Sequence, residues 1–149
     1  MAGKRIGDIL LELGFVSQEQ LGAAVQVQRA MPGMRLGELM VAMGFTNDKT
    51  IGVAMALQCD LPFVSIAVST IDRSLRKEIP AALARRWGVL PLAREHGRLQ
   101  VAVADPTRLE FKHELRARTG MIVREAVATP ADLERAIEIF YGDEAGLAL

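Results

Sequence analysis

A chain that repeats itself after thirty residues must place two like units side by side, and this one does so over its first sixty positions. Arg5-Ile6-Gly7-Asp8-Ile9-Leu10-Leu11-Glu12-Leu13-Gly14-Phe15 falls on Arg35-Leu36-Gly37-Glu38-Leu39-Met40-Val41-Ala42-Met43-Gly44-Phe45. The correspondence continues with Leu21 on Ile51, Gly22 on Gly52, Ala24 on Ala54, Val25 on Met55 and Gln28 on Gln58. Seven of the 24 aligned positions are identical, where ordinary composition gives about one or two by chance.

Each copy reads as a pair of short helices. Ile6, Ile9, Leu10 and Leu13 recur at helical spacing, and Gly14 stands where a left-handed residue ends a helix. Ser17 with Gln20 forms a capping box for the next helix, which aligns Leu21, Ala24, Val25 and Gln28 on one face. The second copy repeats this with Leu36, Leu39, Met40 and Met43, a stop at Gly44, and Thr46 or Asn47 as the cap. Pro32-Gly33 marks a turn between the copies. A helix pair this short cannot bury its own apolar face, so the two pairs are expected to pack as a four-helix unit.

A shared core explains why apolar positions survive duplication. It does not explain an Arg two residues before a Gly, or a Gln closing each copy. Arg5, Arg35, Gln28 and Gln58 are therefore either solvated surface groups or groups kept for a ligand. An Arg at a helix N-terminus opposes the macrodipole slightly. Gly7 and Gly37 inside helices each cost up to about 1 kcal/mol relative to Ala. Two explanations fit the glycines: close approach of a ligand or other backbone, or close helix packing.

The rest of the chain has a different character. Leu61–Ile66 reads as extended, and Asp72–Lys77 and Ala81–Trp87 as helical. Val89–Arg94 and Arg98–Ala104 form a hairpin around Glu95-His96-Gly97. A helix over Leu109–Thr119 ends at Gly120, a strand covers Met121–Ala128, and Thr129-Pro130 starts a helix over Leu133–Tyr141. The predicted class is α+β: a duplicated four-helix unit over residues 1–60, a small α+β subdomain over 61–142, and a tail or linker over 143–149.

Charge excludes one class of partner. The chain carries 18 basic and 18 acidic residues, five and six of them within residues 1–60, which leaves thirteen and twelve for the remainder. A long polyanion needs a surplus of Lys and Arg, so no long nucleic acid is expected. A small anion held by a few placed arginines fits the balance. The single Cys59 makes no internal disulfide, no His/Cys ligand set exists, and no apolar run reaches membrane-spanning length; no metal, no cofactor and no membrane insertion are expected. There is no Gly-x-x-x-x-Gly-Lys-Ser/Thr phosphate loop and no paired nucleophile, so catalysis is not expected. The start of the chain lacks a signal-peptide pattern, and the expected location is intracellular.

Each copy resembles the 24-residue motif of the MshEN domain, the N-terminal domain of type II secretion and type IV pilus assembly ATPases. That motif runs Arg-Leu-Gly, two residues, two aliphatics, two residues, Gly, two aliphatics, four residues, Leu, three residues, Leu, two residues, Gln. Arg5, Gly7, Leu10, Leu11, Gly14, Val16, Leu21 and Gln28 satisfy it once, and Arg35, Leu36, Gly37, Met40, Val41, Gly44 and Gln58 satisfy it again. Ile6, Phe15, Phe45, Val25, Met55 and Ile51 are mild departures, and Thr46 puts a polar residue at an aliphatic position. Leu61-Pro62-Phe63-Val64, Ile79-Pro80, Val89-Leu90-Pro91-Leu92 and Ala104-Asp105-Pro106 resemble the rest of that domain.

The resemblance implies binding of cyclic di-GMP, whose two guanines and two phosphates match a duplicated motif. It implies contacts from Arg5, Ile6, Gly7, Asp8, Leu10, Gly14, Phe15, Leu21 and Gln28 in the first copy. The second copy would supply Leu36, Glu38, Met40, Phe45 and Gln58 with Arg35, Gly37 and Gly44. An Arg fork suits guanine or phosphate, Gln a base edge or ribose, and Gly7 and Gly37 a close backbone approach to phosphate. The apolar residues would form either a wall against the purines or simply the bundle core. Asp105 would either accept from guanine or form the turn before Pro106. Family members that lack the Arg and Gln resemble pure docking domains. The expected function is thus a cytoplasmic cyclic di-GMP receptor or regulatory domain. The alternative is a module that docks a secretion or pilus ATPase onto an inner-membrane assembly protein.

Overall fold

The computed structural model describes residues 3–108 and 110–147, in two compact units divided between Leu61 and Pro62. The first holds four helices: α1 (Ile6–Glu12), α2 (Gln18–Ala30), α3 (Leu36–Ala42) and α4 (Asp48–Cys59). Their ends follow from local chemistry. Ser17 accepts from the Gln20 amide at 3.1 Å while the Gln20 side chain accepts from the Ser17 amide at 2.9 Å, and Asn47 accepts from the Thr50 amide at 2.9 Å. Gly14 and Gly44 adopt φ of 74° and 78°, which a residue without Cβ tolerates. The turn they make lets Phe15 N–H reach Leu10 O at 2.9 Å and Phe45 N–H reach Met40 O at 2.9 Å.

Within this unit α2 lies along α3 and α1 along α4. Ile9, Leu10, Val16, Ala24, Met40 and Ala54 form its core. Complete burial of Ile9, Leu10 and Met40 stabilises the unit by roughly 1.5–3 kcal/mol each. Ala24 and Ala54, equivalent in the repeat and wholly buried, are small enough to let the helices close on one another.

The second unit is built on a three-stranded sheet in the order β1 (Val89–Glu95), β2 (Arg98–Val103), β3 (Ile122–Val127). β1 and β2 are antiparallel, joined through His96 and Gly97, both at positive φ as a two-residue hairpin turn requires. The strand register shifts between Pro91 and Ala93, a place where a proline in a strand is tolerated. β3 runs parallel to β2, with α6 (Glu110–Thr119) as the crossover, and Phe63 bridges to Val127. α5 (Ala81–Trp87) precedes the hairpin, and α7 (Pro130–Leu147) packs on β1 and β2. Leu75, Ile79, Leu90, Leu99, Phe111, Leu115, Phe140 and Tyr141 are central to the core. Glu125 on β3 is only 7% exposed and pairs with Lys112 of α6 at 2.7 Å.

The α+β architecture is as the sequence predicts. Two local details differ from it. The segment after Asp72 is a 3-10 turn over Arg73–Arg76, and another covers Val68–Thr70. The last helix continues to Leu147, so residues 143–147 extend it where a tail or linker is expected from sequence. A docked helix passes through Gly142 because one glycine costs only about 1 kcal/mol once the helix is nucleated. Residues 148 and 149, and Leu109 at the expected start of α6, lie outside the described residues. Among the described residues no helix is long and apolar enough to cross a membrane.

Candidate functional site

Arg5 and Arg35 occupy equivalent places, each the N-cap of its helix in extended backbone (φ −72°, ψ 150° and φ −77°, ψ 149°). Neither α1 nor α3 has a side-chain cap, in contrast to α2 and α4. Both arginines are exposed, as are Asp8 and Glu38 in the first turns that follow.

Gly7 and Gly37 are buried, and the space over each is filled by protein. A Cβ on Gly7 would sit 3.0 Å from Leu21 Cδ1 and 3.3 Å from Leu36 Cδ2; one on Gly37 would sit 3.2 Å from Ile51 Cγ2. Close helix packing therefore accounts for both glycines. The Leu36 contact also shows that the starts of α1 and α3, the helices that Arg5 and Arg35 open, meet.

The two glutamines are joined to the same region. Gln28 Nε2 donates to Met34 O at 3.3 Å, and Gln58 Nε2 donates to Lys4 O at 3.1 Å. Met34 and Lys4 are the residues immediately before Arg35 and Arg5. Each copy thus ends by bonding to the backbone that leads into the other copy's arginine. With α1 against α4 and α2 against α3, the copies meet as in an isologous interface, each using the same surface toward its twin.

The remaining predicted residues divide by burial. Leu10 and Met40 have no exposed surface and belong to the helical core, because helical spacing turns them inward with Ile9 and Leu39; of the two readings the sequence offers for them, burial agrees with the bundle core. Ile6, Leu21, Leu36 and Phe45 are half-buried against that core. Phe15 is 42% exposed beside Leu13, also 42% exposed, just past the exposed Gly14; Gly44 takes the equivalent place in the second copy.

Asp105 belongs to the second unit. Its Oδ1 accepts from Thr107 N–H at 3.0 Å and from Thr107 Oγ1 at 2.5 Å, so the turn-forming role is present. The same residue lines a cleft of about 460 Å³ at the carboxyl end of β2, together with Arg85, Trp87, Arg108, Phe111 and Leu133. Sequence reasoning did not find this cleft; the one signal was the single Trp in an aromatic-poor chain. It also missed the carbonyls of Lys4 and Met34, which no side-chain pattern marks. Among the described residues no group of His, Cys, Asp and Glu is placed to hold a metal.

The sequence profile of the MshEN domain family matches residues 59–147. Among solved structures, that of MshE with cdg (cyclic di-GMP) superposes with a TM-score of 0.79 at 29% identity, over 93% of this chain and 99% of that one. Two crystal forms of the N-terminal domain of XpsE share the fold at 22% identity. One has a TM-score of 0.60 over 90% of this chain and 92% of that one, the other 0.55 over 93% and 98%. Comparison with curated proteins finds no matching sequence.

Proposed function

This chain belongs to the MshEN domain family, and from that premise we propose that it is a cyclic di-GMP receptor whose duplicated helices hold the two halves of the ligand. The observation that carries the reading is the meeting of the starts of α1 and α3, two equivalent helices each opened by an exposed arginine. A ligand with two like halves suits two like cations. An Arg fork takes guanine O6 and N7, or a phosphate, in a bidentate, charge-assisted contact. The likeness to MshE, solved with the same ligand, supports the choice of this dinucleotide over others.

In this reading Arg5 and Arg35 supply charge and fork geometry, and exposed Phe15 offers a ring face to a purine. Asp8 and Glu38, beside the arginines, offer acceptors for guanine N1–H and N2–H2. The core positions Leu10, Met40, Gly7 and Gly37 support the arrangement from below. The chain acts as a cytoplasmic binding and regulatory domain of the type seen in secretion and pilus ATPases, without catalysis of its own.

Calorimetric titration with cyclic di-GMP tests the reading, with GMP and cyclic di-AMP as controls. Micromolar or tighter binding of cyclic di-GMP is expected, with each control at least about tenfold weaker, since adenine presents an N6 donor where guanine presents O6. A folded protein giving no heat at high ligand would overturn it and leave a docking module for an assembly protein.

A further inference from the structure

We propose that Gln28 and Gln58 are reciprocal positioning residues: each aims the arginine of the other copy, so the two half-sites are coupled across the repeat. This rests on the reading that Arg5 and Arg35 bind cyclic di-GMP.

The geometry is the same twice. Gln28 Nε2 donates to Met34 O and Gln58 Nε2 donates to Lys4 O, at 3.3 and 3.1 Å. The accepting carbonyl belongs to the peptide that carries the next residue's N–H, which is Arg35 in one case and Arg5 in the other. Fixing that peptide plane fixes the arginine N–Cα bond, and with φ held at −72° for Arg5 and −77° for Arg35 the Cα–Cβ direction follows. The helix does not do this by itself: Arg5 and Arg35 stand outside the helical turn in extended backbone, and α1 and α3 carry no side-chain cap. Both glutamine side chains are half-buried; the Gln28 bond is part-buried, while the Gln58 bond to exposed Lys4 lies open to water. They also sit at the ends of the long helices α2 and α4, each capped at its start by Ser17 or Asn47. The carboxamide is thus held on a rigid arm while the arginine it serves begins a helix of seven residues.

The pairing makes a cross-copy prediction. Removing Gln28 impairs Arg35, which lies in the other copy, and leaves Arg5 as it was. Removing Gln58 impairs Arg5 and leaves Arg35. A glutamine that touched ligand directly would show no such crossed pattern.

The test is calorimetric titration of the full chain with cyclic di-GMP, with far-UV circular dichroism confirming the fold of each variant. Gln28→Ala is expected to weaken binding about tenfold in the wild-type and Arg5→Ala backgrounds, but less than about twofold in Arg35→Ala, as residues that share one interaction are non-additive. Equal losses in all three backgrounds, or coupling to Arg5, overturn the proposal alone. Absence of binding by the wild type overturns it together with the receptor reading.

Gln28→Glu keeps the scheme testable should the alanine variant not fold. An ionised glutamate accepts but cannot donate to the Met34 carbonyl, and regains a donor on protonation. Its affinity relative to wild type is expected to be low at about pH 7.5 and to recover toward about pH 4.5, near the ordinary glutamate value of about 4.3. A glutamine used as an acceptor for guanine N–H groups would give the opposite slope, and that slope would overturn the proposal.

Discussion

The side-chain amide of Gln58 donates to the backbone carbonyl of Lys4 at 3.1 Å, tying the end of the second copy to the start of the first. Gln28 makes the equivalent bond to Met34, so the duplicated unit closes on itself. Duplication here does more than repeat a fold. It makes each copy the structural complement of the other, and the arginines sit where the two meet.

The glycines of the repeat separate into two kinds. Gly22, exposed in α2, would place a Cβ with nothing within 4 Å, whereas Gly7 faces Leu21 and Leu36. Gly22→Ala is expected to stabilise the chain by about 0.5–1 kcal/mol through helix propensity. Gly7→Ala gains the same propensity but overpacks the α1–α2 contact at a cost of about 1–3 kcal/mol, for a net loss near 1. Urea unfolding of the two variants checks this; a stabilised Gly7→Ala would contradict the packing explanation of that glycine.

Glu125 and Lys112 give a second contrast. The carboxylate is 7% exposed and the ammonium side chain 35%. Lys112→Met strands a buried charge and is expected to cost about 1–3 kcal/mol, while Glu125→Gln removes the charge and keeps a polar group, for a smaller loss. The double variant is expected to lose less than the sum of the singles. Strict additivity in denaturant unfolding would show that the pair contributes nothing jointly.

Asp72 sets a pH dependence in the second unit. The Ser74 backbone and hydroxyl hydrogen bonds hold its carboxyl below the ordinary value of 3.8, against an opposing effect of burial, with a lesser lowering from the charge of Arg94. A lowered folded-state value means that the stabilisation is complete above the ordinary value and is lost as pH falls through the lowered one. The gap in unfolding midpoint between wild type and Asp72→Asn is therefore expected to be constant at neutral pH and to close below pH 3.8. A gap that widens in acid would reverse the assigned sign.

Much of the helical unit was legible because its signals are local. Gly14 and Gly44 announce the helix ends, Ser17 with Gln20 announces a start, and the spacing of Ile9, Leu10 and their counterparts announces the buried face. The glycines at positions 7 and 37 were ambiguous for a physical reason: ligand approach and helix packing both require the absence of a Cβ. Only the positions of Leu21, Leu36 and Ile51 decide between them. The glutamine bonds were hidden because their acceptors are backbone carbonyls, one of them 54 residues away. The parallel pairing of β2 and β3 was hidden likewise, since a crossover fixes strand direction only through tertiary packing. Leu10 and Met40 carried both a core and a ligand reading until their burial settled where they lie.

The central claim is that two equivalent arginines at the junction of the copies grip one symmetric dinucleotide. Calorimetric titration of wild type, Arg5→Ala and Arg35→Ala with cyclic di-GMP tests it most directly. The account predicts one ligand per chain for wild type, and at least about a tenfold loss of affinity in either variant, in line with about 1–3 kcal/mol for a bidentate contact. Wild-type affinity retained in both folded variants would contradict it.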